Sequence, residues 1–275
     1  MVAISQIMQM EESKGLKSTQ EAIDQTTDGS KSEGLIGISF YKTCYRFKKP
    51  PPESDQLPVL FFDLDNTLYS QDTGIAEQMG KQIQLYFQEI LKLPAEESAE
   101  LGRRYYRDYG LAIKGLVKDW HVDPHHYDQF VDGGLLLEEA LTPNSLLNEM
   151  LEELGKKARM WVFTNAGLQH ALRVIRLQGI ESHFEAIAYC DYGEPDFPAK
   201  PDRLAYQRAM ELAGQTRPEL CYFVDDSANN VRTANEFGWN AVHLDERGDH
   251  SWSTDGSEIK RITSIYDLIE TFKEL

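Results

Sequence analysis

The chain has 275 residues and a formal net charge of −17, from 28 basic and 45 acidic side chains. A chain of this length can bury a sizeable core and suits one domain with an insertion, or two small domains. Its strongly negative charge repels phosphate backbones and anionic membrane surfaces, which argues against a main role in binding nucleic acids or lipid surfaces.

The cysteines and the hydropathy indicate a reduced, intracellular protein. Cys44, Cys190 and Cys221 are an odd number without metal-ligand spacing, and the last two lie in apolar runs, so we expect buried thiols. The sequence has no run of 18 apolar residues, and we expect no secretory signal at its N-terminus. We therefore expect a monomer in the cytoplasm, with the nucleus as the alternative location, that binds neither membranes nor nucleic acids.

Residues 1–55 are predicted to form an N-terminal arm. Residues 1 to about 35 are polar and weakly patterned, so we expect them to be mostly disordered or loosely attached. The segment from Gly37 to Phe47 is richer in residues that favour strands and can pack as an added segment. A run of two lysines and three prolines, from Lys48 to Pro52, marks the boundary before the main domain.

The main domain begins with one strand and continues with helices. The apolar run from Leu57 to Phe62 predicts a strand that is buried on both faces of a parallel sheet. Residues 73–141 then show helical periodicity and no strand pattern, with helices expected at 73–92, 96–109, 111–120 and 124–131. We interpret residues 73–141 as a helical domain inserted after the first strand.

From Thr142 onward helices and strands alternate, which is typical of a parallel sheet with crossover helices. Helices are predicted at 144–154, 168–178, 203–212 and 228–237, and strands at 160–163, 186–190, 220–224 and 241–244. Residues 259–275 are predicted to form a last amphipathic helix. The predicted fold class is α/β, with a Rossmann-like parallel-sheet core at 56–72 and 142–275 and an all-helical insertion.

Polar side chains follow the strands of the predicted sheet where each strand ends. They are Asp63 and Asp65 after the first strand, Thr164 and Asn165 after the second, Lys200 beyond the third, and Asp225 and Asp226 after the fourth. Because the carboxyl ends of parallel strands meet at one edge of a sheet, these four distant segments are expected to form one site.

This set of groups suits phosphoryl transfer. Carboxylates so close together repel one another, so we expect a hard divalent cation, and Mg²⁺ prefers oxygen ligands and bridges to phosphate. A lysine and a hydroxyl match the oxygens of a transferring phosphoryl group. One carboxylate beside the metal can attack phosphorus, and a second, two residues on, can protonate the leaving oxygen and later activate water.

The chain order Asp-x-Asp-x-Thr, then Thr, Lys and an acidic pair resembles the phosphatases of the haloacid dehalogenase (HAD) superfamily over roughly residues 57–244. The resemblance implies the HAD fold, with the helical insertion as a cap that closes over the substrate. It implies that Asp63 is the nucleophile and that Asp65 is the general acid and base. Thr164 and Lys200 would then hold the phosphoryl group.

The same resemblance implies Mg²⁺ as the cofactor and assigns its ligands. The carboxylates of Asp63 and Asp226 and the backbone carbonyl of Asp65 would bind the ion, and Asp225 would assist directly or through water. The sequence departs from the superfamily pattern four residues after Asp226, where Asn230 stands in place of the Asp of many members.

Residues 105–116 and 189–192, together with 63–69, resemble the fungal and plant pyrimidine 5′-nucleotidases of the superfamily, whose yeast members act on UMP and CMP. This implies a 5′-nucleotidase whose partner is a small phosphate ester, a nucleoside monophosphate, and whose aromatic cap residues can stack on a base. The expected substrate contacts are Asn165, Tyr109, Gly110, Lys114 and Asp191.

Other functions stay open at this stage. If the cap tyrosines only pack the cap core, the substrate is another metabolite, such as nicotinamide mononucleotide, a sugar phosphate or lysophosphatidic acid. A phosphomutase shares the whole core, and a dehalogenase keeps Asp63 without needing Asp65 as an acid. A catalytically silent scaffold is the alternative that is not an enzyme. A response-regulator receiver is disfavoured because its acidic pair precedes the phospho-acceptor.

Overall fold

A parallel sheet forms the centre of the fold. The computed structural model describes residues 43–49, 54–194, 196–248 and 259–275, and the predictions for residues 1–42 lie outside them. The strands are β1 (Cys44–Arg46), β2 (Val59–Phe62), β3 (Arg159–Phe163), β4 (Ala186–Ala188), β5 (Cys221–Asp225), β6 (Asn240–Leu244) and β7 (Lys260–Ile262). Their order is β1-β4-β3-β2-β5-β6-β7, with β1 antiparallel to β4 and the other neighbours parallel. The predicted α/β fold class is confirmed.

Helices connect the strands as the sequence pattern predicts. The helices between β2 and β3 are α1 (Ile75–Glu89), α2 (Ala95–Tyr109), α3 (Ala112–Trp120), α4 (Pro124–Val131), α5 (Leu137–Ala140) and α6 (Ser145–Gly155). The helices after β3 are α7 (Leu168–Gln178), α8 (Arg203–Ala213), α9 (Ala228–Phe237) and α10 (Leu268–Thr271). We call residues 75–140, which contain α1 to α5, the helical segment.

Strand β2 lies in the middle of the sheet and is fully buried. Phe62, its last residue, pairs with Val162 of β3 on one side and with Val224 of β5 on the other. The backbone N–H of Asp63 then donates to the carbonyl of Val224 over 2.9 Å. This register places the residues that follow β2, β3 and β5 side by side at one edge of the sheet.

Two apolar layers cover the sheet, and a third apolar cluster lies in the helical segment. On one face Phe62 packs in a large cluster with residues of α6 and α7, and on the other Phe61 stacks on Trp239 with 4.7 Å between ring centroids. Tyr86 and Tyr105 belong to the third cluster, to which the chain after β4 also contributes buried residues: Cys190, Phe197 and Ala199. The helical segment therefore has an apolar core of its own that includes part of the loop after β4.

Strand β1 lies within the predicted arm of residues 1–55 and completes one edge of the sheet. It pairs with β4, and its Arg46 donates to the carboxylate of Glu185 over 2.9 Å. Arg159 of β3 donates to the same carboxylate over 2.8 and 2.9 Å. A carboxylate between two guanidinium groups thus joins β1 to the interior of the sheet.

The prediction of a single helix over residues 259–275 is wrong. The segment begins with β7, which pairs with β6, and continues as a short 3₁₀ turn and α10. Its buried residues lie three or four positions apart: Ile262, Ile265, Leu268 and Phe272. That spacing imitates a helical face, but here a strand, a turn and one helical turn bury the same side chains in sequence.

The three cysteines are free thiols, and Cys190 and Cys221 are buried, as expected. No helix in the described parts of the chain is long and apolar enough to cross a membrane.

Two leucines on opposite sides of α6, one buried and one exposed, provide a test of its packing. Leu151 is 0% exposed in the main cluster, whereas Leu146 on the same helix is 59% exposed. We expect Leu151→Ala to lower the free energy of unfolding by about 2–5 kcal/mol, because the truncation leaves a cavity. Leu146→Ala should change it by less than about 0.5 kcal/mol. Urea unfolding of both variants measures the difference, and equal losses would contradict this packing.

Candidate active site

Asp63 is enclosed at the carboxyl end of β2, with a hydrogen-bond donor on each carboxylate oxygen. Lys200 Nζ donates to Oδ1 over 2.7 Å, and the Thr67 hydroxyl donates to Oδ2 over 3.1 Å. Burial raises the pKa of Asp63 well above its usual range, and the Asp225 carboxylate raises it further, although the charge of Lys200 opposes both effects. A carboxylate held in this way has a fixed orientation, and positive charge beside it favours its ionised form.

Lys200 is 1% exposed and uses all three ammonium hydrogens inside the site. Nζ donates to Asp63, to Asp225 Oδ2 and to the backbone carbonyl of Phe163, each over 2.7 Å. Burial alone would lower the pKa of Lys200, but the carboxylates of Asp225 and Asp63 raise it above its ordinary value. The ammonium ion therefore stays charged and joins the ends of β2, β3 and β5.

Asn165, a predicted substrate contact, holds the backbone of this lysine. Its side-chain oxygen accepts from the Lys200 N–H over 2.7 Å, and its amide nitrogen donates to the Lys200 carbonyl over 2.8 Å. Asn165 follows β3, so this pair of hydrogen bonds sets the loop that carries Lys200 against the end of a neighbouring strand.

The carboxylates of Asp63, Asp225 and Asp226 form an acidic cluster whose oxygen atoms can lie within 4.8 Å of one another. Burial and the charge of Asp225 raise the pKa of Asp226 to about 7, despite a hydrogen bond from Asn66 over 3.3 Å. The cluster therefore holds more negative charge than Lys200 balances, and its hard oxygen donors fit a divalent cation such as Mg²⁺.

The two members of the acidic pair are in different environments. Asp225 is 0% exposed, and both of its oxygens already accept hydrogen bonds: from Lys200, from the Asn230 amide over 3.0 Å, and from the Ser227 N–H over 2.8 Å. Asp226 is less buried and accepts the single long hydrogen bond from Asn66. Asp225 thus orients Lys200, while the carboxylate of Asp226 has capacity left to bind another partner.

Asp65 is held apart from this cluster by donors of its own. The Tyr69 hydroxyl donates to its Oδ1 over 2.6 Å, and His170 Nε2 donates to the same atom over 2.7 Å. Burial favours the neutral acid, but the charge and hydrogen bond of His170 and the hydrogen bond of Tyr69 lower the pKa of Asp65 below its usual range. Burial likewise opposes the charge of His170, yet Asp65 raises its pKa to about 9.

The remaining predicted residues lie around this centre. Thr164 is buried, and its hydroxyl oxygen accepts from the Ala166 N–H over 3.0 Å. Gly110 follows α2 with φ 73°, and a Cβ there would lie 3.3 Å from the Lys200 carbonyl oxygen. The helical segment therefore approaches the loop that carries Lys200 closely, at a position that requires glycine. Asp191 accepts from the Gly193 N–H over 3.1 Å and lines a side cavity of about 150 Å³.

The cap tyrosines and Lys114 divide between packing and the site. Tyr109 packs on buried Tyr105, with 5.7 Å between ring centroids, and Lys114 Nζ lies 5.2 Å from the ring centroid of Phe197. Tyr106 instead is 69% exposed. Desolvation by the surrounding protein raises the pKa of its phenol, and the carboxylates of Asp226, Asp225 and Asp63 raise it further. Of these three tyrosines, Tyr106 is the one that faces the acidic cluster.

Reasoning from sequence missed several residues of the site. His170 and Tyr69 hold Asp65, Asn66 contacts Asp226, and Asn230 holds Asp225. Tyr69 and Asn66 lie within four residues of Asp65, so the motif itself directs attention to them. His170 lies 105 residues from Asp65 in the chain, and only the packing of α7 brings it there.

Comparison with known proteins identifies the family. The family described as haloacid dehalogenase-like hydrolase matches residues 57–238. The chain belongs to this family. A relative in Saccharomyces cerevisiae, Phosphate metabolism protein 8, is 35% identical over 228 residues, which cover 78% of this chain and 71% of that protein. As a HAD-like hydrolase with this set of side chains, the protein has the groups of a phosphatase of the superfamily.

Solved structures of HAD-like hydrolases share the fold. The HAD-hydrolase YfnB from Bacillus subtilis, solved with bound magnesium, aligns with a TM-score of 0.52 and 14% identity, covering 78% of this chain and 98% of that one. A HAD phosphatase from Thermococcus onnurineus aligns with a TM-score of 0.51 and 20% identity, covering the same shares. At these identities the likeness shows the fold alone.

Asn230 explains how the site tolerates its departure from the superfamily pattern. Its amide donates to both oxygens of Asp225, so an aspartate there would place two carboxylates together. We expect Asn230→Asp to lower the free energy of unfolding at pH 7 by about 1–3 kcal/mol, through the loss of buried donors. Chemical unfolding measures the loss.

The matched control is Asn229→Asp, which makes the same change of charge on the exposed neighbouring residue. It should change the stability by less than about 0.5 kcal/mol. Equal stability of the two variants would contradict the role of Asn230 as the donor that holds Asp225.

Proposed function

We propose that this HAD-like hydrolase is a magnesium-dependent phosphomonoesterase that converts pyrimidine nucleoside 5′-monophosphates, UMP and CMP, to nucleoside and phosphate. The observation that carries the proposal is the fixed carboxylate of Asp63, held by Lys200 and Thr67 beside two further carboxylates. A nucleophile beside a buried cation and a cation-binding cluster is what attack on a phosphate ester requires.

The metal site in this proposal uses the acidic cluster. Asp63 and Asp226 offer carboxylate oxygens, and Asp65 offers its backbone carbonyl, whereas the oxygens of Asp225 already accept hydrogen bonds from Lys200, Asn230 and Ser227. When bound, Mg²⁺ supplies positive charge that keeps Asp63 ionised and neutralises the phosphate oxygens.

The proposed reaction has two steps. In the first, Asp65 takes up a proton from solvent on Oδ2 when the substrate binds, an oxygen of Asp63 forms a bond to phosphorus while the bond from phosphorus to the ester oxygen breaks, and Asp65 gives its proton to that ester oxygen. In the second, Asp65 takes a proton from a water molecule that attacks the aspartyl phosphate, which releases phosphate and regenerates Asp63. The second oxygen of Asp65 is free for both transfers because its two hydrogen-bond donors contact Oδ1.

Two further groups act on the phosphoryl group in this proposal, Lys200 through its charge and Thr164 through its hydroxyl. Lys200 lies 2.7 Å from Asp63 and balances the negative charge that develops on the phosphoryl group. The hydroxyl oxygen of Thr164 accepts a backbone hydrogen bond, which leaves its hydrogen available to donate to a phosphoryl oxygen.

The helical segment serves in this proposal as the cap that covers the substrate. It follows residues 63–74, which come directly after β2 and include Asp63 and Asp65. Its Gly110 approaches the Lys200 carbonyl oxygen so closely that a Cβ there would lie 3.3 Å away. A cavity of about 600 Å³ adjoins the site, with a mainly polar lining of Asn66, Gln71, Asp72, Gly74, Ala76, Glu77 and Arg247. This volume suits a small metabolite. The polar lining favours a ribose and a base over a lipid tail.

Tyr106 supports a nucleoside as the leaving group. Its exposed ring faces the acidic cluster, where an aromatic surface can stack on a base. In this proposal Tyr109 and Lys114 shape the cap by packing on Tyr105 and Phe197, and Gly110 permits the close approach to Lys200. Asn165 holds the backbone of Lys200, and Asp191 lies earlier in the loop that carries Lys200.

The covalent mechanism predicts that Asp63→Asn abolishes phosphate release from an aryl phosphate in the presence of Mg²⁺, because an amide cannot attack phosphorus. The protein should remain folded, since the amide oxygen can still accept from Lys200. Removal of Mg²⁺ with EDTA should abolish the activity of the wild type, and addition of Mg²⁺ should restore it.

Asp226→Ala is the companion variant, and it should raise the Mg²⁺ concentration needed for half-maximal rate. Activity of Asp63→Asn at the level of the wild type would exclude the covalent mechanism. An unchanged Mg²⁺ titration in Asp226→Ala would exclude that ligand.

The substrate proposal predicts the highest kcat/KM for UMP and CMP in a panel that also contains AMP, GMP, nicotinamide mononucleotide, sugar phosphates and a lysophosphatidic acid. Purine monophosphates should be slower, and nicotinamide mononucleotide should be a side substrate because it has a similar ring on ribose 5-phosphate. If a sugar phosphate or the lipid exceeds UMP tenfold, about 1.4 kcal/mol of transition-state preference, the pyrimidine assignment is wrong.

A pair of variants tests whether the Tyr106 ring contributes to this substrate preference. Tyr106→Ala should raise the KM for UMP about 2- to 13-fold, as expected for the loss of one aromatic contact of about 0.5–1.5 kcal/mol. Tyr266→Phe is the control, because that exposed tyrosine contacts Asn144 at the start of α6. A KM for UMP that does not change in Tyr106→Ala would place the base elsewhere.

A further inference from the structure

The carboxylate of Asp65 is held at one of its two oxygens. Oδ1 accepts from the Tyr69 hydroxyl over 2.6 Å and from His170 Nε2 over 2.7 Å. Because a carboxylate only accepts, Nε2 of His170 carries a hydrogen in this contact. The side chain of His170 is fully buried, whereas that of Asp65 is 28% exposed. The exposed part of the carboxylate therefore points away from its donors.

The two donors come from different parts of the fold. Tyr69 belongs to the loop after β2, four residues beyond Asp65, and it is buried. His170 lies in the first turn of α7, whose Arg173 donates to backbone carbonyls of the helical segment, at Asp132 and at Leu135, over 3.1 Å. The position of His170 is thus set by a helix that is anchored both in the sheet core and in the helical segment.

Asp65 needs such support because of its neighbours. The carboxylates of Asp63 and Asp226 lie nearby, and like charges favour any side-chain conformation that moves a carboxylate away from them. Two short hydrogen bonds to Oδ1 fix the plane of the Asp65 carboxyl group and leave Oδ2 to take up and release a proton. A displacement of a reacting group by about 1 Å can reduce a rate about 100-fold.

We propose that Tyr69 and His170 are positioning residues for proton transfer: by holding Oδ1 of Asp65, they aim Oδ2 at the leaving oxygen of the substrate and then at the attacking water. This inference rests on the proposed phosphatase mechanism. The two residues do not touch the substrate, so they act through Asp65. Their contribution is largest where the leaving oxygen most needs a proton.

The test compares two esters that differ in their need for an acid. The leaving group of an alkyl phosphate such as UMP is a strongly basic alkoxide unless it is protonated, whereas the leaving group of p-nitrophenyl phosphate is a stable phenolate. In Tyr69→Phe and His170→Leu, kcat for the alkyl ester should fall about 10- to 100-fold. For the aryl ester kcat should fall less than about threefold, and KM should stay within about twofold for both esters. If UMP is not the best alkyl substrate, the best alkyl ester of the panel replaces it.

Conservative and control variants separate positioning from a general loss of structure. His170→Gln retains an N–H donor that can reach Oδ1, so it should recover most of the alkyl rate that His170→Leu loses. His183→Leu and Tyr266→Phe remove the same groups outside the site, where they contact Asn148 and Asn144, and should leave both rates unchanged. If His170→Leu does not fold, Tyr69→Phe, which removes only a hydroxyl, still decides the question.

The outcomes distinguish this inference from the function on which it rests. Equal losses on the two esters would overturn the positioning role while the phosphatase stands. An unchanged alkyl rate in both Tyr69→Phe and a folded His170→Leu would do the same. A wild-type protein that hydrolyses neither ester would overturn the proposed function and this inference together.

Discussion

The site depends on one buried ammonium group, that of Lys200, whose three hydrogens contact oxygens from the ends of β2, β3 and β5. Removing a charge from water is costly, and a buried ion pair is tolerated only when the geometry satisfies every donor. Only a sheet in which these three strands are adjacent and parallel supplies such a set of oxygens. The central strand order and the chemistry of the site are thus two consequences of one arrangement.

Four aspartates of the site differ in role because their surroundings differ. Asp63 has one donor on each oxygen, Asp225 is saturated with donors, and Asp226 accepts one long hydrogen bond. Asp65 is held by Tyr69 and His170 and has a lowered pKa, whereas the pKa values of Asp63 and Asp226 are raised, chiefly by burial. In the proposed mechanism, residues of one type can therefore serve as nucleophile, lysine partner, cation ligand and proton carrier.

The helical segment packs against the loop after β4 that carries Lys200. The chain after β4 contributes Cys190, Phe197 and Ala199 to the apolar core of the segment, and Lys200 follows directly. Gly110 at the end of α2 touches the backbone of Lys200, and Arg173 of α7 donates to the segment from the other side. A change in the position of the segment is therefore expected to shift Lys200 and its partners in the candidate site.

The sequence by itself determined the α/β class, the helices α1 to α4 and α6 to α9 to within a few residues, and the acidic, hydroxyl and lysine groups expected at one sheet edge, whereas the short helix α5 was not predicted. These follow from periodicity, strand length and local motifs, which are properties of neighbouring residues. Only the tertiary structure decided that His170 reaches Asp65, that Asn165 holds Lys200, and that Tyr106 is exposed within the influence of the acidic cluster. It also decided that the chain after residue 259 begins as a strand, because the spacing of its apolar residues satisfies a helix and a strand-turn equally well. Contacts between residues a hundred positions apart depend on how the elements pack, and no local pattern encodes that packing.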